Sequence, residues 1–464
     1  MKKISDLIEC DFDIEVSGIT DDSRYVKKGY VFVATKGFFV DHFDYIESAI
    51  ENGCSFVVAD RDIKVDFPHI VVDKDISSVY RTMCQKFYDV DFNKLRMIGI
   101  TGTDGKTSTT TIVKKIIGDC AYMGTNGLEI FDQLYHTGNT TPVISELYGN
   151  IKKIIDHGCS NLAMEVSSES LLHDRVKDFN YDIVGITNIT GDHLNIHKTF
   201  DNYVECKKKL LELVKDDGYV VLNGDDDILK QIECPNMWKF GFGENNDYII
   251  NKVDYNDKNT IIEVVHDSES FKIVSPYKAR YNVYNVVMAF IICRLFGLED
   301  SKIIESIKKL DPIKGRTEVL DFGQNYDIIL DYAHTVNGIK NILDSFQNYE
   351  NIITVTGSAG GREREKRAVI GSYVMEHSDI AIFTMDDPRY ENVDDIIDQM
   401  VGDAKDYVRI VDRKEAIHYA LNIASPGSLV LILGKGRDEY MAIEDKKPYY
   451  CDYDVIRDYF EISE

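Results

Sequence analysis

An α/β protein of three domains is what this sequence predicts, and three observations carry the prediction. Short runs rich in Val, Ile, Phe and Tyr alternate with amphipathic segments along the chain, the pattern of strands and helices taking turns. A glycine-rich turn at 102–105 separates one such run from a helix start. Breaks near Asp91-Phe92-Asn93-Lys94 and at Asp311-Pro312 divide the chain into 1–92, 93–312 and 313–464, which suits 464 residues at roughly 100–200 per domain. The expected architecture is a small N-terminal α/β domain, a central P-loop domain built on a mostly parallel sheet, and a C-terminal Rossmann-like α/β domain.

In the first domain Tyr30–Ala34, Ser55–Ala59 and His69–Val72 read as strands. In the second, Leu95–Thr101 reads as a buried strand, and the runs at Ser160–Glu165, Asp182–Thr187 and Tyr219–Leu222 repeat the theme between helical patterns. In the third, Ile328–Asp331, Ile352–Thr356, Asp379–Thr384 and Leu429–Leu433 each precede a turn or helix signal. No repeat of 20–50 residues and no low-complexity tract interrupts this order.

Composition sets limits on function. The chain is 44% hydrophobic and 28% charged with 8 prolines, which is the make-up of a folded protein. A formal net charge of −26 argues against sequence-independent nucleic-acid binding, which rests on Lys and Arg clusters, so any phosphate site must be local. Acidic residues break the opening MKKISDLIECDFDIEV before an apolar segment of about 7–15 residues can form, so no signal peptide is expected. Val286–Cys293, the most apolar stretch, meets Arg294 at once and is too short to insert in a membrane. Nine cysteines with no C-x-x-C pair read as reduced cytosolic thiols, a zinc site being the alternative.

The segment Ile98-Gly99-Ile100-Thr101-Gly102-Thr103-Asp104-Gly105-Lys106-Thr107-Ser108 is a strand, a glycine-rich turn and a helix start. Glycines let backbone N–H groups turn toward a phosphate, the helix N-terminus adds partial positive charge, Lys106 can reach phosphate oxygens and Thr107 can ligate Mg²⁺. The chemistry fits ATP, although Ile100 and Gly99 depart from the strict G-x-x-x-x-G-K-T spacing. Glu165 ends one strand and Asp192-His193-Leu194 follows another, so both candidates for metal lie at the carboxyl edge where ligands collect in open sheets. Taken alone, Glu165 is more often a solvated or salt-bridged side chain, His193 more often a structural hydrogen-bonder, and Lys207 an ordinary helix-surface lysine.

Along nearly its whole length the chain resembles the Mur ligase family, in particular its MurE branch. The resemblance rests on Asp22-Ser23-Arg24, Val26, Gly29 and Phe32-Val33-Ala34, with Gly37 and Asp41-His42-Phe43 echoing later elements. It continues through the phosphate loop, with Asp104 where the family has Asn, and through Asn139-Thr140-Thr141-Pro142 and Glu165-Val166-Ser167-Ser168 with Arg175. Asn188, Asp192-His193-Leu194, His197, Tyr203 and Lys207 match the next elements, then Asn282 and Asn285, Gly315-Arg316 and Asp331-Tyr332-Ala333-His334.

The resemblance implies an ATP-dependent ligase that forms an amide through an acyl phosphate, adding a diamino acid, meso-diaminopimelate or L-lysine, to a UDP-muramoyl dipeptide in peptidoglycan synthesis. It implies nucleotide contacts from Gly102, Thr103, Asp104, Gly105, Lys106, Thr107, Ser108, Asn282, Asn285, Arg316 and Asp331. Two Mg²⁺ ions are implied near Thr107, Glu165, His193 and an N6-carboxylated Lys207, with Lys106, Glu165, His193 and Lys207 catalytic. Ser23, Thr140, Thr141, Ser167, His173 and Arg175 would hold the UDP-muramoyl substrate, and Asp386, Asp387, Arg389, Gly434 and Asp438 the amino acid. The partners are then small molecules, the enzyme is a cytoplasmic monomer, and its third domain closes about a hinge near 311–315.

Several positions depart from the pattern. Asp387 replaces Asn in D-N-P-R, and its charge favours an ammonium where Arg389 favours a carboxylate. Arg437-Asp438 replaces His-Glu, Glu169 stands for a histidine and Val336 for a proline. A paralogue with an unusual amino acid, a folylpolyglutamate-synthase-like ligase and, last, a non-enzymatic UDP-peptide-binding subunit are the rival readings.

Overall fold

The computed structural model describes residues 1–36, 40–191, 194–256 and 259–462. Its spine is a sheet of 11 strands. Their order is Gln133–Tyr135, Gly127–Ile130, Ala121–Gly124, Asn161–Glu165, Arg96–Thr101, Tyr181–Ile186, Val214–Asn223, Met237–Gly241, Tyr248–Tyr255, Thr260–His266 and Glu269–Ser275. From Ala121–Gly124 to Tyr248–Tyr255 neighbours run parallel, and antiparallel strands finish both edges.

The central strands are apolar because both faces are covered. Ile98 and Ile100 enter a core shared with the helices Lys106–Ile117 and Arg280–Leu295, while Met97 joins the core on the opposite face. The three antiparallel strands between 248 and 275 fall outside the sequence expectation. Each is interrupted by polar residues on its less buried face, so none forms a continuous apolar run.

Four parallel strands, Gly18–Thr20, Tyr30–Val33, Phe56–Ala59 and His69–Val71, make the first unit's sheet. Its helix Ile76–Tyr88 starts at Asp75, whose carboxylate accepts from the N–H groups of Ser77 and Ser78, and stops at Asp89 in the left-handed conformation. Tyr80, Met83 and Cys84 of this helix share one continuous core with Tyr148 and Ile151 of the helix Ile144–Asp156 and with Met97 and Met164 of the central sheet. Arg81, 1% exposed, fastens the junction: its Nε donates to Asp178 at 2.8 Å and its Nη1 to the Asp174 carbonyl at 3.1 Å.

The third unit has a six-stranded sheet in the order Glu318–Leu320, Asp327–Asp331, Leu429–Leu433, Ile352–Thr356, Ile380–Phe383, Val408–Arg409, antiparallel only at its first pair. Its two faces carry separate apolar clusters, nearly all from its own residues. It lies against the central unit, where the Arg316 guanidinium donates to the Thr107 hydroxyl at 3.2 Å.

Candidate active site

The phosphate loop leaves the strand Arg96–Thr101 and enters the helix Lys106–Ile117 through Gly102, with φ of +150°, and Gly105, with φ of +83°. A side chain at either would also strike a neighbour, Thr187 in one case and Asn285 in the other. The next strand holds the loop from behind. Thr103 donates its N–H to the Asn188 carbonyl at 2.9 Å, Asp104 donates its N–H to Asn188 Oδ1 at 3.0 Å, and the Thr187 hydroxyl donates to the Asp104 carbonyl at 2.5 Å. Asn188 thus acts as a brace for the loop.

Two lysines converge on this turn. Lys106 Nζ donates to the Gly102 and Thr103 carbonyls, each at 2.8 Å, and Lys207 Nζ donates to the same Gly102 carbonyl at 2.8 Å. Lys207 is 1% exposed, lies 4.8 Å from the centre of the Tyr203 ring, and has Thr101 Oγ1 at 3.4 Å. It is therefore no surface lysine. Two ammonium groups on one carbonyl repel each other, which marks the spot as one that favours anions.

Glu165, wholly buried, ends the neighbouring strand Asn161–Glu165. Its carboxylate accepts from the hydroxyls of Tyr122 at 2.5 Å, Thr107 at 3.0 Å and Thr125 at 3.1 Å, and from the Thr125 N–H at 3.0 Å. Asp192, His193 and Gly37 lie outside the described residues. Among the described residues no group of three or more His, Cys, Asp or Glu side chains is placed to hold a metal.

A cavity of about 420 Å³ opens beside the loop, between the second and third units. Asp104, Gly105, Ser108 and Asn285 line one side, and Arg316, Asp331 and His334 the other. Asn282 stands one helical turn from Asn285 and accepts its amide N–H at 3.1 Å. Asp331 accepts from the N–H groups of Thr317 at 2.5 Å and Ala333 at 2.7 Å; burial still pushes its carboxyl up, against the pull of Arg316. Phe240 and Tyr284, 6.3 Å apart, give the cavity an aromatic wall.

A second, larger cleft of about 980 Å³ lies between the first unit and the helix Ser168–Leu172. His173 and Arg175 line it, with Asp21, Thr35 and His42 across from them. Burial, then the Arg175 charge, holds His173 below its ordinary range. Thr141 is fully buried and structural: its hydroxyl donates to the Glu165 carbonyl at 2.8 Å and accepts the Ser167 N–H at 2.9 Å, while its carbonyl accepts from Arg175 at 3.0 Å. The Thr140 hydroxyl meets that of Thr125 at 3.1 Å, and the Ser167 hydroxyl caps its helix by accepting the Ser170 N–H at 3.2 Å. Ser23 is buried in a short turn, its carbonyl taken by Asn52.

In the third unit, Asp386, Asp387 and Asp438 gather around Lys435, which is 1% exposed. Lys435 Nζ lies 2.8 Å from Asp387 and 3.7 Å from Asp438, and the Asp387 carboxylate also accepts the Ala442 N–H at 2.8 Å. Arg389 donates one N–H to the Gly360 carbonyl at 3.0 Å. Gly434, with φ of +115°, has no room for a side chain because Asp386 stands against it. Arg437 turns away, donating to Glu318 at 2.8 Å and covering the Tyr453 ring at 3.3 Å.

Comparison with known proteins decides the family. Three family descriptions match in order: "Mur ligase family, catalytic domain" over residues 15–87, "Mur ligase middle domain" over 100–293, and "Mur ligase, glutamate ligase domain" over 315–436. The "UDP-N-acetylmuramoyl-L-alanyl-D-glutamate--2,6-diaminopimelate ligase" of Bacillus cereus is 33% identical, with 98% of each chain covered. The chain belongs to the Mur ligase family. The corresponding L-lysine ligase of Staphylococcus epidermidis is 32% identical over 92% of this Mur ligase and 90% of its own length. A solved structure titled as that of a 2,6-diaminopimelate ligase superposes with a TM-score of 0.66 at 25% identity, covering 100% and 99% of the two chains.

Of the residues singled out in the sequence, this Mur ligase brings Lys106, Thr107, Glu165 and Lys207 to one strand edge, and Arg316 to the same place from another unit. Ser23 is not among the residues lining the large cleft. The sequence alone assigns no role to Tyr122, Thr125 or the pair Asp21–Thr35, and none to Lys435 beyond its place in the motif at 434–438. Asp21 and Thr35 just follow the strands Gly18–Thr20 and Tyr30–Val33, and that position at the carboxyl edge was the available signal.

Proposed function

We propose that this ATP-dependent Mur ligase adds a diamino acid to UDP-N-acetylmuramoyl-L-Ala-D-Glu in peptidoglycan synthesis, as the names of its relatives indicate for them. One observation carries the reading: Thr107 and Glu165 are hydrogen-bonded to each other, and near neighbours of each in sequence line two different cavities. Gly105 and Ser108, within two residues of Thr107, line the smaller; Glu169, four residues past Glu165, lines the larger. A nucleotide in the first and an acyl substrate reaching out of the second would meet at Thr107 and Glu165.

The chemistry follows from those positions. The dipeptide carboxylate attacks the γ-phosphorus, the bond to the β-phosphate oxygen breaks, and ADP leaves an acyl phosphate. The incoming amine then attacks the acyl carbon, loses a proton, and expels inorganic phosphate. Lys106 and Arg316 sit where negative charge spreads over the transferring group, and His173 and Arg175 where an acidic substrate would be anchored.

Thr107 and Glu165 are hard oxygen donors 3.0 Å apart and fit Mg²⁺, and His193 completes the set proposed from the resemblance. Lys207 as an ammonium does not fit. As an N6-carboxylated lysine it does, and carboxylation also turns the repulsion between Lys207 and Lys106 into attraction. The bound ions would neutralise phosphoryl and acyl oxygens.

For the amino acid, the geometry favours diaminopimelate over lysine. Lys435 and the Ala442 N–H absorb the charge of Asp387, so it no longer opposes a carboxylate at Arg389, whose guanidinium spends one donor on Gly360. We also place the enzyme in the cytoplasm as a monomer; all nine cysteines are free, and no helix among the described residues is long and apolar enough to cross a membrane. Phosphate release with ATP, UDP-muramoyl dipeptide and a panel of amino acids tests the whole reading. Turnover with diaminopimelate ahead of lysine is expected; none with diaminopimelate, lysine or ornithine would refute it.

A further inference from the structure

Asp104 puts a carboxylate into a loop built for phosphate, and one of its partners comes from the third unit. The Thr335 hydroxyl, from the third unit, donates to Asp104 at 3.2 and 3.4 Å to its two oxygens. The same hydroxyl accepts the Gly338 N–H at 2.9 Å and so caps the helix Val336–Ser345. Thr335 is buried, 4% exposed, and Ala333, His334, Asn337 and Gly338 around it line the nucleotide cavity opposite Asp104. The Asp104 carboxylate therefore rests on a helix N-terminus, whose partial positive charge favours an anion.

We infer that Thr335 is a positioning residue that couples closure of the third unit to nucleotide binding by drawing Asp104 aside. With the third unit against the phosphate loop, Asp104 is held by Thr335 and its helix. With the unit swung away, the carboxylate loses that partner and faces the polyphosphate, which it repels. Closure and nucleotide affinity are linked through one hydrogen bond that an asparagine at 104, carrying no charge, would not need. The inference rests on the nucleotide reading of the 420 Å³ cavity.

A double-mutant cycle on the full-length protein tests it, with binding of Mg·ADP measured by calorimetry. Thr335→Val is expected to weaken ADP binding about tenfold, the order of a hydrogen bond to a charged group. In the Asp104→Asn background the same change is expected to alter binding less than about twofold, and Thr335→Ser is expected to restore wild-type affinity because it keeps the hydroxyl. Equal weakening in both backgrounds, or none in either, overturns the coupling: the first would mean that Thr335 acts only as a helix cap. Failure of the wild-type protein to bind Mg·ADP at all would instead refute the nucleotide reading itself.

Discussion

The carboxyl of Asp438 is pushed up to about 6, first by burial and then by Asp387 and Asp386, with Lys435 pulling the other way. Below that pH it is protonated and offers no charge; above it the carboxylate can meet an ammonium. The ratio of kcat/KM for diaminopimelate between wild type and Asp438→Asn should therefore climb as pH rises from 5 to 7, and a flat ratio would remove Asp438 from the pocket. Taking the ratio cancels the ionisation of the incoming amine. If Lys207 is carboxylated as proposed, Lys207→Ala should lower turnover about 100-fold, with partial rescue by a short carboxylate such as acetate; no rescue would count against the carboxylation. The residues proposed to perform chemistry stand beside a glycine turn or a strand end and are visible there in the sequence, except Lys207, which only the family resemblance singles out. Tyr122, Thr125 and Lys435 are not visible in this way: each serves by holding another side chain, and the contact exists only once distant strands are side by side.

Helices and strands read well wherever burial on both faces made them continuous apolar runs, as at Ile352–Thr356 and Leu429–Leu433. They read poorly where only one face is fully buried, as in Thr260–His266, whose half-buried outer face carries apolar Ile261 and Val265 and so hides the alternation. The helix Ile76–Tyr88 has a role beyond its own turns, since Arg81 on it is the clasp between two units. Arg81→Ala should lower stability by about 2 kcal/mol, through lost hydrogen bonds to a charged group, and show as a reduced urea midpoint with little change in slope. Removing the helix cap with Asp75→Ala should cost about 1 kcal/mol. If Arg81→Ala were silent, the junction would rest on apolar packing alone.

At the scale of the molecule, the three-part division was visible from composition breaks, yet the breaks say nothing about which parts share a core. The first and second units do, through Tyr80, Met83, Tyr148 and Met97, whereas the third keeps two clusters nearly to itself. Scanning calorimetry should therefore resolve two transitions, one for residues 1–312 and one for the rest, and Mg·ADP should draw them together if it binds the cavity between them, as proposed. Three separate transitions would contradict the shared core. That shared core also matters during synthesis. The first sheet leaves the ribosome before the strand Arg96–Thr101 and the helix Ile144–Asp156 exist, so the apolar face of Ile76–Tyr88 waits, uncovered, for partners still to be translated. A nascent chain halted soon after residue 92 should be sticky and protease-sensitive, and folding order in the cell should follow the packing, not the order of the domains along the chain.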